Sequence, residues 1–79
     1  MPAGIYLAVV HASGSAQKVG ARADVYPSGQ FQLIAERTGN KFLIPFELPA
    51  PGGLSLNLRI GAGDPGELTI YRVDMTRVA

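Results

Sequence analysis

Residues 54–70, LSLNLRIGAGDPGELTI, decide what kind of fold this chain can have. The first part alternates strictly. Leu54, Leu56, Leu58 and Ile60 fall on one parity, and Ser55, Asn57 and Arg59 on the other. A period of two marks a strand with one buried face. Residues 61–66 then match G-x-G-x-x-G letter for letter, the spacing of phosphate-cradling turns in dinucleotide-binding domains. That fingerprint works only when a helix leads out, because the helix N-terminus holds the pyrophosphate. Here ELTIYRV follows and alternates again, so a strand leads out. Asp64-Pro65-Gly66 is then turn chemistry. The loop is expected to join two antiparallel neighbours and to bind no phosphate.

The same alternation extends back along the chain. Strand one, residues 5–10, has Ile5, Leu7 and Val9 on one face. Strand two, 18–26, sets Val19, Ala21, Ala23 and Val25 against Lys18, Arg22 and Asp24. Strand three, 30–37, turns Phe31, Leu33 and Ala35 inward; strand four, 41–48, turns Phe42, Ile44, Phe46 and Leu48 inward. Pro45 cannot donate to a ladder, so strand four is an edge or is bulged there. Tyr26-Pro27-Ser28-Gly29 reads as a type I turn. Gly39-Asn40 reads as a two-residue hairpin turn. In the sixth strand the apolar set changes phase, from Leu68 and Ile70 to Val73 and Met75, which predicts a β-bulge near Tyr71-Arg72. The expected core joins Leu56, Leu58, Ile60, Leu68, Ile70 and Val73 to Phe42, Ile44 and Phe46. The fold class is all-β: one domain over residues 1–79, a small antiparallel β-sandwich or partial jelly roll of about six strands.

Composition narrows the function. The chain has 79 residues, 47% of them hydrophobic, with no cysteine and one histidine. A domain this small buries only about 60–65% of its unfolded surface. Without disulfides or a cysteine- or histidine-rich metal site, partner subunits are the expected support. Net charge is +1, from 7 basic and 6 acidic residues scattered singly. No basic stripe marks a nucleic-acid footprint, and no apolar run is long enough to span a membrane. No Lys or Arg precedes the short apolar run near the N-terminus, so a secretory leader is not expected.

The final third, LSLNLRIGAGDPGELTIYRVDMTRV, resembles the last hairpin of carbohydrate-binding-module-like, galactose-binding-like β-sandwiches. There an apolar alternating strand leads through a glycine-containing turn to a strand patterned apolar-x-apolar-Asp-x-Val-x-apolar. Leu68, Ile70, Val73 and Met75 occupy the apolar positions, while Tyr71 stands where the family commonly has Asp. The resemblance implies the sandwich fold and suggests a glycan as ligand. None of the family's sugar-binding residues carries over.

Individual residues point away from catalysis. His11 beside Ser13 and Ser15 lacks triad spacing and reads as a solvent-facing loop histidine. Glu36 and Glu47 read as cross-strand partners of Arg37 or Lys41. Asp64 alone is a weak calcium ligand. Arg22, Arg59, Arg72 and Arg77 recur on outward parity without forming a block, so they read as solvated or as intersubunit partners. Neither a cofactor nor a metal site is expected. Strands one and four are apolar on both parities, and one internal core cannot satisfy both. Tyr6, Ala8, Val10 and Leu43 are therefore the expected contacts with other chains, so Val10→Lys should weaken assembly and leave the domain partly folded. Tyr6, Tyr26 and Tyr71 are the candidate stacking surfaces. The expectation is a non-enzymatic structural protein that forms a homo-oligomer or joins a larger assembly. A virion decoration, fibre or tail component is a setting it fits; a carbohydrate-binding module is the alternative.

Overall fold

The computed structural model describes residues 1–26 and 29–79, so the expected turn at Pro27-Ser28 lies outside the described residues. Six strands follow in order: β1 (Gly4–Ser13), β2 (Lys18–Tyr26), β3 (Gln30–Thr38), β4 (Lys41–Leu48), β5 (Gly53–Ile60) and β6 (Thr69–Arg77). They form one sheet, ordered β5-β2-β3-β4-β1-β6, and every pairing is antiparallel. The all-β expectation holds. Its layers are two halves of a single curled sheet, β6-β1-β4 and β5-β2-β3, joined through one hairpin.

Proline chemistry explains why that joint is narrow. β3 and β4 pair only at Arg37↔Phe42 and Thr38↔Lys41. Ala12 N–H donates to Asn40 O at 3.1 Å, in the register that pairs Val10 with Phe42. Even residues of β4 therefore turn their backbone groups toward β1, and odd residues toward β3. Pro45 presents its missing N–H on the β3 side, where a ladder cannot pass. The expected edge or bulge is thus corrected: β4 is an interior strand with an unbroken β1 register, left without a β3 partner only beyond Phe42. The turn itself places Gly39 at φ 63, with no positive φ at Asn40. Glycine at the first central position is the type II′ signature.

The core lies between the halves. Phe42, Ile44, Phe46 and Leu48 of β4 are buried, as are Val19, Ala21, Ala23 and Val25 of β2. Leu54, Leu56, Leu58, Leu68 and Ile70 pack against this cluster while remaining partly exposed. Small side chains on the middle strand of each half, Ala8 and Ala12 in β1 and Ala21 and Ala23 in β2, make room for the larger ones beside them. Tyr6 and Phe31 stack on Phe46, with ring centroids 5.5 and 5.8 Å away. The buried Tyr6 hydroxyl donates to Pro2 O at 2.6 Å, which satisfies its polar end. Val73, expected in the core, is exposed; it lies opposite Val10 on the edge strand and is not among the described residues that pack on the core cluster.

Two connections differ in outcome. The bulge is present: His11 pairs with Arg72 and Ala12 with Ile70, leaving Tyr71 unmatched. The loop at 61–66 is not a hairpin. β5 and β6 lie at opposite ends of the strand order, so the loop crosses the end of the molecule from one sheet edge to the other. Along the way it bonds to the β1–β2 connection: Gly61 N–H donates to Lys18 O (2.9 Å), and Ala16 N–H to Glu67 O (2.9 Å). The approach is close enough to demand glycine at position 66, where a Cβ would lie 2.5 Å from the Ala16 nitrogen.

Candidate interaction surfaces

Tyr6, Ala8 and Val10 are not available to another chain. They are 5%, 0% and 0% exposed, covered by the protein's own core. The register with β4 is the cause: Tyr6 lies opposite Phe46, Ala8 opposite Ile44 and Val10 opposite Phe42, all on the inner face. The second apolar face of β1 is instead the parity of Ile5, Leu7 and Val9. These lie across from Glu47, Pro45 and Leu43 on the outside of the sheet. Ile5 and Leu43 are 44% and 43% exposed, Pro45 is exposed, and Leu7 and Val9 are half-buried. Of the predicted contact residues in strands one and four, only Leu43 sits on this face.

The tyrosines do not form a platform. Tyr6 is buried. Tyr26 and Tyr71 are exposed, but Tyr26 ends β2 opposite Gly53, whereas Tyr71 lies on the β6 bulge beside His11. They occupy opposite ends of a molecule 37 Å long. A sugar ring spans far less, so no single ligand of that size stacks on both.

His11 lies within β1 rather than in a loop, because that strand runs on to Ser13. Its Nε2 is 3.0 Å from Asp74 Oδ2, and Arg72 Nε donates to Asp74 Oδ1 at 3.0 Å. The Arg72 bond, with a further contribution from His11, holds the Asp74 carboxyl below its usual range. Neither Ser13 nor Ser15 bonds to the imidazole among the described residues, and Ser15 Oγ accepts from Glu67 N–H at 3.2 Å. The cluster pins β6 to β1 across the bulge. Glu36 and Glu47 form no ion pair with Arg37 or Lys41 among the described residues, correcting that expectation. Arg37 points inward, its guanidinium carbon 4.8 Å from the centre of the Phe42 ring. It donates to the carbonyls of Ala16 and Ala12 at 2.6 and 3.2 Å, so it plugs one end of the curl. Arg22 contacts Asp24 at 3.8 Å. With Arg59, Gln32 and Ile34 it lines a shallow depression of about 610 Å³ over Gly20, on the outside of the other half-sheet.

Asp64 accepts backbone N–H bonds from Gln17 (2.7 Å), Gly66 (2.8 Å) and Lys18 (3.0 Å). These bonds, that from Gly66 foremost, lower its pKa. Its oxygens are engaged in tying the crossing loop to β2. A carboxylate lowered in the fold adds stability above its unfolded value of about 4, and that stability is lost as pH falls through the folded value. Asp64→Asn should therefore give a shallower fall in melting temperature between pH 7 and pH 3 than the native chain; an identical fall would mean that the carboxylate charge is not used in this way. Among the described residues no three His, Asp or Glu side chains converge as a metal site. No family model matches this chain, and neither curated proteins nor solved structures yield a significant match.

Proposed function

We propose that this chain is a non-enzymatic assembly protein that associates with copies of itself through the outer face of β1 and β4. The observation behind this reading is the adjoining apolar set Ile5, Leu7, Val9, Leu43 and Pro45 on the outer sheet face, with Ile5, Leu43 and Pro45 exposed and Leu7 and Val9 half-buried. Contiguous apolar surface rimmed by polar residues is characteristic of protein contacts. The rim suits a second copy. Glu47 lies beside Ile5 at one end, and Lys41 beside His11 at the other. Two copies stacked face to face about a two-fold axis that runs across the strands bring the acidic end of each over the basic end of its mate, so the charges steer and align the contact.

Light scattering across micromolar concentrations tests the proposal. The native chain should exceed the monomer mass, and Leu43→Lys should lower that mass by removing this contact while the far-ultraviolet strand signal stays unchanged. Leu43 already meets solvent, so the lysine is tolerated in the isolated chain. A native chain that stays monodisperse at the monomer mass would end this reading.

A further inference from the structure

β5 is a second uncovered surface. It ends the sheet, and among the described residues nothing pairs with its outer edge. The ladder with β2 shows which groups face out. Gly61 N–H donates to Lys18 O at 2.9 Å, in the register that sets Ile60 opposite Val19. Odd residues therefore spend their backbone groups on β2. Leu54, Leu56, Leu58 and Ile60 turn N–H and C=O toward the free edge, while their side chains point to the core side and stay half-buried. The other edge of the sheet is guarded: β6 carries a bulge together with Arg72, Asp74 and Arg77. β5 has no proline and no irregularity in its pairing with β2, and Arg59 is its one charge.

We infer that β5 pairs antiparallel with β5 of a second copy, about a two-fold axis at Asn57. The order Leu-Ser-Leu-Asn-Leu-Arg-Ile, residues 54–60, is nearly the same read from either end. A symmetric antiparallel pair must centre on one residue, and only a self-complementary strand fits its own reverse. Centred on Asn57, Leu56 meets Leu58 of the second copy and Leu54 meets Ile60. Every outward N–H and C=O of the four apolar residues then finds a partner. Arg59 meets Ser55, which keeps the two guanidinium groups apart, and the Asn57 amides face each other on the outer surface. Centring on Arg59 opposes like charges. Centring on Leu56 leaves Ile60 unmatched by an apolar residue, and centring on Leu58 leaves Leu54 opposite the loop. The pairing continues the sheet as β3-β2-β5-β5-β2-β3 and covers the exposed flank of the leucine row. This contact rests on the self-association reading but uses a different surface. With both contacts in place, copies join into an extended assembly rather than a closed dimer.

The chain has no cysteine, so Asn57→Cys introduces a single thiol. Across this axis the two position-57 Cα atoms form a non-hydrogen-bonded pair about 4.5 Å apart, within disulfide range. Ser55→Cys or Arg59→Cys alone would place its thiols about 13 Å apart, four residues along the ladder. Mild oxidation should convert Asn57→Cys to a covalent dimer on a non-reducing gel and leave either of the others largely monomeric. A mixture of Ser55→Cys and Arg59→Cys should cross-link to each other. The same result is expected in the Leu43→Lys background, which removes the other contact. If Asn57→Cys cross-links no faster than Ser55→Cys, the β5 pairing is wrong. Should the native chain still exceed monomer mass in that event, association through the β1 and β4 face survives alone.

Discussion

Val10→Lys is expected to unfold the chain, not to release a folded monomer from an assembly. Val10 is fully buried, opposite Phe42 on one side and Val73 on the other. No buried polar or charged residue lies in the described core to receive an ammonium group. Taking an unpaired charge out of water costs several kcal/mol even after relaxation. Folded domains hold about 5–15 kcal/mol in total, and one this small sits at the low end. The far-ultraviolet strand signal should therefore be largely lost at 25 °C. A Val10→Lys chain that stays folded would place Val10 on the surface and overturn the register between β1 and β4. Leu43→Lys makes the contrast: it carries the same charge on the next strand, but on the outer face, and should leave the fold intact.

Phe42→Ala should be the most damaging truncation. The ring is fully buried and lies beside the hairpin that joins the two half-sheets, where β3 and β4 pair at Arg37↔Phe42 and Thr38↔Lys41. Emptying such a site costs about 3–5 kcal/mol, from lost transfer energy and the cavity left behind. Arg37 would also lose the ring it lies over, while its guanidinium must still reach the carbonyls of Ala12 and Ala16. In a domain of this size each kcal/mol moves the melting temperature by about 4–8 °C, so a fall of roughly 12–40 °C is expected. Ile34→Ala is the control: Ile34 is 61% exposed on the outer face and should move the melt by only a few degrees. If both variants melt alike, the core is not centred on β4.

Local chemistry was legible along the chain wherever one residue type has one physical consequence. Strict alternation at residues 54–60 marked β5 and its inward parity. The phase change from Ile70 to Val73 located the bulge that leaves Tyr71 unmatched. Pro45 announced an edge or a bulge; β4 is instead an interior strand without a bulge there, but beyond Phe42 it lacks a β3 partner on the side where the proline has no N–H. Gly39-Asn40 announced the hairpin that joins the two half-sheets.

Three things were decided only by the tertiary structure. The first is which face of β1 is inside. Ile5, Leu7, Val9 and Tyr6, Ala8, Val10 are both apolar, so alternation cannot choose between them. The choice falls to the register with Phe42, Ile44 and Phe46, and to space, since Ala8 and Ala12 let the halves close where larger side chains would hold them apart. The second is the role of single polar residues. Nothing near His11 in sequence identifies Asp74, 63 positions away, and although the Gly66 bond to Asp64 is local turn chemistry, nothing near Asp64 identifies Gln17, 47 positions away. The third is the path of the loop at 61–66. A strand, a glycine turn and a strand read identically whether the strands are neighbours or opposite edges, because alternation records only that each strand has one buried face. Which strands lie beside which is set by how six such faces close around one core, with β1 and β2 taking the places beside β6 and β5.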